Sequence, residues 1–254
     1  MTLLLSLSAL LLAQSGSGSP SGTEPRLEAC IAQAGSDPAA ALTTASNWLQ
    51  GASLTDRSLV YQCLGVAYTN LARWEEAERA FVTARDISAP DQPGWRARLG
   101  TMAANAALAT GRNEPALAYL QVAQADAALA EEPDFGGQVA QDRARALVAL
   151  GRLDEAATAL ADARDLAPAD PLGWLLSATL ARRQENLAEA QGLILEATRL
   201  APDNPAIALE AGLIAALGGD DAAARTAWEG LLTRSPQAPE AATARGYLTQ
   251  IGGE

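Results

Sequence analysis

Apolar positions along this chain recur at helical spacing, and the groups they form recur again at a longer interval. Between Pro171 and Asn204, Trp174, Ala178 and Ala181 fall on one side of a helix. Gln184 to Asn186 interrupts the pattern, and Leu187, Ala190, Ile194 and Ala197 mark the inner side of a second helix. Pro171 stands where a helix can begin and Pro202 where one must end, because proline has a fixed φ and no amide hydrogen. The same order returns in register at a period of 34. Ala156, Ala190 and Ala224 form one column. Leu160, Ile194 and Trp228 form the next, and Ala163, Ala197 and Leu231 a third. Pro168, Pro202 and Pro236 punctuate the array, as do Pro171, Pro205 and Pro239.

The period predicts an all-α chain of about six helix pairs and a single last helix. The units run over 24–57, 58–91, 93–132, 137–170, 171–204 and 205–238, with a cap at 239–251. A more polar final helix is what a stacked array needs to cover its last apolar face. Two intervals are too long: Ala77 to Ala116, and Ala116 to Ala156. The unit at 93–132 therefore carries extra residues, expected at the joins around Pro93-Gly94 and Glu131 to Gly137, with longer helices between them. Units 24–57 and 58–91 precede it. The first is short, with helices expected at Arg26–Ala34 and from Asp37 or Pro38 to Gln50.

The fullest version of the pattern lies between Ser58 and Asp91, with Tyr61, Leu64-Gly65, Tyr68, Ala77, Phe81 and Ala84 in order. It resembles the tetratricopeptide repeat, a helix–turn–helix unit of this length, although Pro90 comes one place late. The resemblance implies a right-handed superhelical solenoid of antiparallel helix pairs, with the first helix of each pair lining a concave groove. Tyr61, Tyr68, Phe81, Trp174 and Trp228 then belong to the core. The groove is expected to present Gln62, Val66 and Asn70, then Arg98, Thr101 and Asn105. Further along it presents Gln141, Asp142 and Arg145, then Leu175, Thr179, Arg182 and Arg183. Some family members grip a partner's C-terminal carboxylate with Lys or Arg and Asn. Gln62 and Val66 stand where that polar set would begin, so chaperone-tail binding is not expected. Arg98, Arg145, Arg182 and Arg183 offer either a basic stripe for the carboxylates of a peptide segment or partners for neighbouring Asp and Glu.

Composition narrows the chemistry. The chain has 254 residues and a net charge of −12, and all eighteen basic residues are Arg, with no Lys and no His. Histidine acid–base and metal chemistry, lysine Schiff bases and the phosphate-binding lysine loop are thereby excluded. The negative charge argues against nucleic acid or an anionic membrane as partner. No motif calls for a cofactor or a metal ion. Alanine, which loses no side-chain entropy in a helix, is the commonest residue.

Two features bear on location. Leu3 to Ala13 is a mostly apolar run, too short to span a bilayer but suited to the core of an export signal. Small residues at Ala13 and Ser15 offer a cleavage site, and a Ser/Gly-rich tether at 16–23 follows. Residues 1–15 are accordingly read as a signal peptide, with a buried first helix as the alternative. Cys30 and Cys63 fall at nearly the same level of consecutive first helices, which pack side by side. They are expected either to form a bridge stapling the first unit to the second or to be two buried thiols. The expected function is a non-catalytic scaffold or adaptor that binds a protein or peptide in its groove, in the periplasm or secreted, with a cytoplasmic location as the alternative. The rival readings are an accessory module of an envelope or carbohydrate-processing system, and a self-associating structural protein.

Overall fold

The computed structural model describes residues 23–251, which fold into thirteen α-helices with no strand among the described residues. Six pairs follow one another: α1 (Thr23–Ser36) with α2 (Pro38–Gly51), α3 (Arg57–Asn70) with α4 (Trp74–Asp86), and α5 (Pro93–Ala109) with α6 (Asn113–Leu129). Next come α7 (Pro133–Ala149) with α8 (Leu153–Leu166), α9 (Pro171–Arg183) with α10 (Leu187–Leu200), and α11 (Pro205–Leu217) with α12 (Asp221–Arg234). The last helix, α13 (Pro239–Ile251), stands alone against α11 and α12. The export signal expected at 1–15 and all of the expected tether except Thr23, which opens α1, lie outside the described residues.

The turns explain why each helix doubles back. After α5, Gly111 adopts φ +72°, its N–H bonds Leu108 O, and Arg112 N–H bonds Ala107 O. Those two bonds satisfy carbonyls left over at the helix end, and glycine takes the left-handed conformation without a Cβ clash. Gly151 and Gly219 do the same, and Ala72 and Glu185 adopt the conformation without being glycine. Between pairs the chain uses another device. Asp170 and Asn204 cap α9 and α11 with their side chains, and proline takes the first helical position. Asn204 Oδ1 accepts from the amides of Ala206 and Ile207 at 2.9 and 3.3 Å. Asn204→Ala is expected to cost about 1 kcal/mol, read as a lower urea midpoint with an unchanged slope.

The middle of the array meets the expectation in part. Most of the extra residues lie in longer helices, as expected, and few in the joins. α5, α6 and α7 have 17 residues each where most of their counterparts have 13 or 14, so each has gained about one turn. α7 begins at Pro133, four residues ahead of the predicted boundary at 137. The join before it is a tight turn like those within pairs: Glu131 has φ +56°, and its N–H and that of Glu132 bond Ala128 O and Ala127 O.

Burial runs as a string of clusters rather than one centre. Ala77, Phe81, Ala84, Leu99 and Ala103 make one; Leu117, Leu120, Val139, Leu147 and Leu160 make the next. Ala178, Ile194 and Ile207 form a third, and Ala224, Trp228 and Leu231 pack with α13 in a fourth. Alanine fills the columns because the helices approach too closely for anything larger. Gly65 lies where a Cβ would come within 2.7 Å of Phe81 Cζ. Phe81 and Trp228 are buried, whereas Tyr61, Tyr68 and Trp174 are half-buried at the edges of their clusters.

The structure joins Cys30 of α1 to Cys63 of α3, with a Cα separation of 6.0 Å. Both cysteines are buried beside Trp48, Val60 and Leu64.

Candidate functional site

Consecutive first helices touch directly, as in α1–α3, α5–α7, α7–α9 and α9–α11, while second helices meet mainly their neighbours in sequence. The first-helix side therefore has the shorter radius and is concave. Side chains lace this face together. Asn70 Nδ2 donates to Ala34 O at 2.8 Å, Asn105 Nδ2 to Asp142 Oδ2 at 3.1 Å, and Arg182 Nε to Glu210 Oε1 at 2.6 Å.

The four arginines do not form a free basic stripe. Arg98 pairs with Glu132 at 2.7 Å, donates to Gly94 O and lies over the Phe135 ring. Arg182 forks onto Glu210, with both side chains largely buried. Arg145 pairs with Asp142 at 2.9 Å but stays 58% exposed. Arg183, exposed at the end of α9, has no ion-pair partner among the described residues. With 30 acidic residues to 18 arginines, carboxylates from elsewhere in the array neutralise Arg98 and Arg182. Gln141 also departs from expectation. It is buried and donates to Asp170 Oδ2 at 2.7 Å, which braces the start of α9 and takes it out of the groove surface.

Arg145 and Arg183 come together at a cleft of about 230 Å³ between α7, α8 and α9. Its floor is Val148, Leu160, Leu176 and Leu180, and Thr179 lies on its rim. The C-terminal end of α9 carries partial negative charge, which favours the guanidinium of Arg183 in its last turn by about 0.3–1 kcal/mol. A cleft of about 240 Å³ between α3, α4 and α5 has similar size, with Val66, Phe81, Met102 and Asn105 and no charged group. A third, of about 660 Å³, opens at the loop edge beside Leu54, Ile87 and Trp95. No group of three or more His, Cys, Asp or Glu among the described residues is arranged to hold a metal ion. No described helix is long and apolar enough to cross a membrane.

A family model described as tetratricopeptide repeat matches residues 142–205 and 175–242. Over residues 142–242 the chain is thus similar to tetratricopeptide repeats. Solved structures extend the likeness of fold over its length. PilF of Pseudomonas aeruginosa aligns at 15% identity and a TM-score of 0.66, covering 89% of this chain and 100% of PilF. PilW, described as a widely conserved type IV pilus biogenesis factor, aligns at 17% identity and a TM-score of 0.70, covering 87% of this chain and 97% of its own. YrrB, described as a tetratricopeptide-repeat protein with an unusual peptide-binding site, aligns at 15% identity and a TM-score of 0.53, covering 80% and 97%. No curated protein matches the sequence.

The tetratricopeptide period makes equivalent groove positions comparable. Leu172, Leu175, Thr179 and Arg183 of α9 correspond to Ala206, Leu209, Leu213 and Leu217 of α11. Leu172 and Leu217 are 45% and 54% exposed, and Leu175, Leu209 and Leu213 are half-buried. One repeat earlier, Gln141 and Arg145 hold the places of Leu175 and Thr179. The groove thus passes from polar to leucine-rich toward its C-terminal end.

The tetratricopeptide pattern gives no sign of the buried polar links between units. Glu78, buried on α4, accepts from Arg112 Nη1 at 2.5 Å and from Tyr119 Oη at 2.9 Å. Burial and the Glu78 carboxylate together hold the Tyr119 phenol above its ordinary pKa. Asp126 receives Arg85 at 3.1 Å and lies 3.7 Å from Arg96. Ser58 accepts from Trp95 Nε1 and bonds Ser88 Oγ and Ala84 O. Arg164 bonds Ser177 and faces the Trp174 ring, and burial pushes its guanidinium pKa down. Each link joins residues of different helices, so no local spacing announces it.

Proposed function

We propose that this chain is a non-catalytic protein-interaction scaffold, exported from the cytoplasm, that holds a segment of a partner protein against the inner faces of α9 and α11. The observation that carries the reading is the set of leucines along the groove positions of α9 and α11: Leu172, Leu175, Leu209, Leu213 and Leu217, all retaining exposure. A contiguous apolar patch kept in contact with water marks an interaction surface. A concave row of parallel helices suits an extended or helical segment. The likeness to YrrB and PilW, the first described by a peptide-binding site and the second by pilus biogenesis, supports a binding role. The apolar run before the tether supports export.

Affinity capture from an envelope extract tests it, with the double variant Leu175→Glu, Leu213→Glu alongside the native chain. The native chain is expected to retain a defined partner set that the variant loses while keeping its helical circular-dichroism signal. An identical set captured by both would sink the groove reading.

A further inference from the structure

The cleft between α7, α8 and α9 is where exposed apolar surface and uncompensated positive charge meet. Resting on the scaffold reading, we propose that it receives an apolar side chain of an internal partner segment, with the carboxylate of an adjacent Asp or Glu lying between Arg183 and Arg145.

Size and lining select the side chain. Ligand pockets for whole small molecules span about 300–1,000 Å³, and this cleft has about 230 Å³. That is room for a single aliphatic or aromatic side chain resting on Val148, Leu160, Leu176 and Leu180. Charge selects its neighbour. Arg98 and Arg182 are committed to Glu132 and Glu210, whereas Arg183 stands exposed without a carboxylate among the described residues. Arg145, on the opposite wall, reaches Asp142 through Nη1. Asp142 also accepts from Asn105, so it keeps a partner when Arg145 turns toward an incoming acid. Two guanidiniums beside an apolar floor bind a carboxylate through paired N–H donors and repel a lysine or arginine. The similar cleft between α3, α4 and α5 has no charged lining group, so of these two only the α7–α9 cleft can depend on charge.

Four fluorescein-labelled twelve-residue peptides test this by anisotropy with the full chain, all amidated at the C-terminus. Each has a Gly/Ser background and a centre of Leu-Glu, Leu-Gln, Leu-Lys or Ser-Glu. The Leu-Glu peptide is expected to bind at least about tenfold tighter than Leu-Lys and Ser-Glu, with Leu-Gln between. Arg145→Glu with Arg183→Glu, both at exposed positions, is expected to reverse the order of Leu-Glu and Leu-Lys. Equal affinities for Leu-Glu and Leu-Lys, an order unchanged in the variant, or no binding by any of the four overturns the assignment. A peptide ending in a free leucine carboxylate that outbinds internal Leu-Glu also overturns it, in favour of chain ends. The scaffold reading falls separately: it survives such results if Leu175→Glu, Leu213→Glu still abolishes partner capture.

Discussion

Trp228→Ala will destabilise the C-terminal end of the array by about 3–5 kcal/mol, the range for removing a large buried aromatic. Trp228 is 1% exposed, donates from Nε1 to Leu209 O at 3.1 Å, and stacks on Tyr247 of α13 with ring centroids 5.1 Å apart. It bridges the last pair to the capping helix. The indole also depends on Gly212, where a Cβ would fall 2.6 Å from Trp228 Cδ1 and closer still to Nε1 and Cε2. Gly212→Ala alone should therefore cost about 1–3 kcal/mol through overpacking. The double variant should cost less than the sum, because the cavity left by the indole accepts the new methyl group, with a coupling of about 1–2 kcal/mol. Urea denaturation of the four proteins measures the cycle. Strict additivity would show that Gly212 and Trp228 do not share this space.

Removing the bridge with Cys30→Ala and Cys63→Ala will lower the stability of the N-terminal end by about 3–4 kcal/mol. That is the loop-closure value for cysteines 33 residues apart. Alanine leaves little strain where both cysteines are buried, so the loss reflects mainly the unfolded chain's regained freedom. Repeat arrays couple mostly to nearest neighbours. Amide exchange should therefore quicken in α1 and α2 and change little beyond α5. Chain recovered outside the cytoplasm should show no titratable thiol under denaturing, non-reducing conditions. Two thiols there, with unchanged exchange in α1, would remove the bridge from the account.

Most of the architecture was legible in the sequence because a repeat states the same requirement several times. The alanine, bulky and proline columns from Ala156 to Pro239 located five helices and their turns, and the solitary α13 followed from the array's need for an end. Where the period breaks, longer helices were expected, but not that they would take nearly all of the added residues. The residues added between Ala77 and Ala156 lengthened α5, α6 and α7, since a full turn inserted into a helix preserves its buried face whereas a loop buries nothing. Glu131 in a left-handed turn carried no glycine to announce it. At the groove, helical spacing brought Arg145 and Arg183 to one face. The neutralisation of Arg98 and Arg182 depended on Glu132 and Glu210, one helix or more away. The leucine row was visible as spacing, but its exposure was not, because apolar positions on a helix read the same whether covered or bare.

The Glu131 turn bears on how the chain assembles as it is made. From α5 to α8 every helix is delivered onto its predecessor by a tight three-residue turn. Each can therefore dock as soon as it is synthesised, without awaiting a distant partner. The centre of the solenoid is thus a stretch of continuous vectorial folding, between ends closed by other means: a covalent bond at one and a tryptophan clasp at the other.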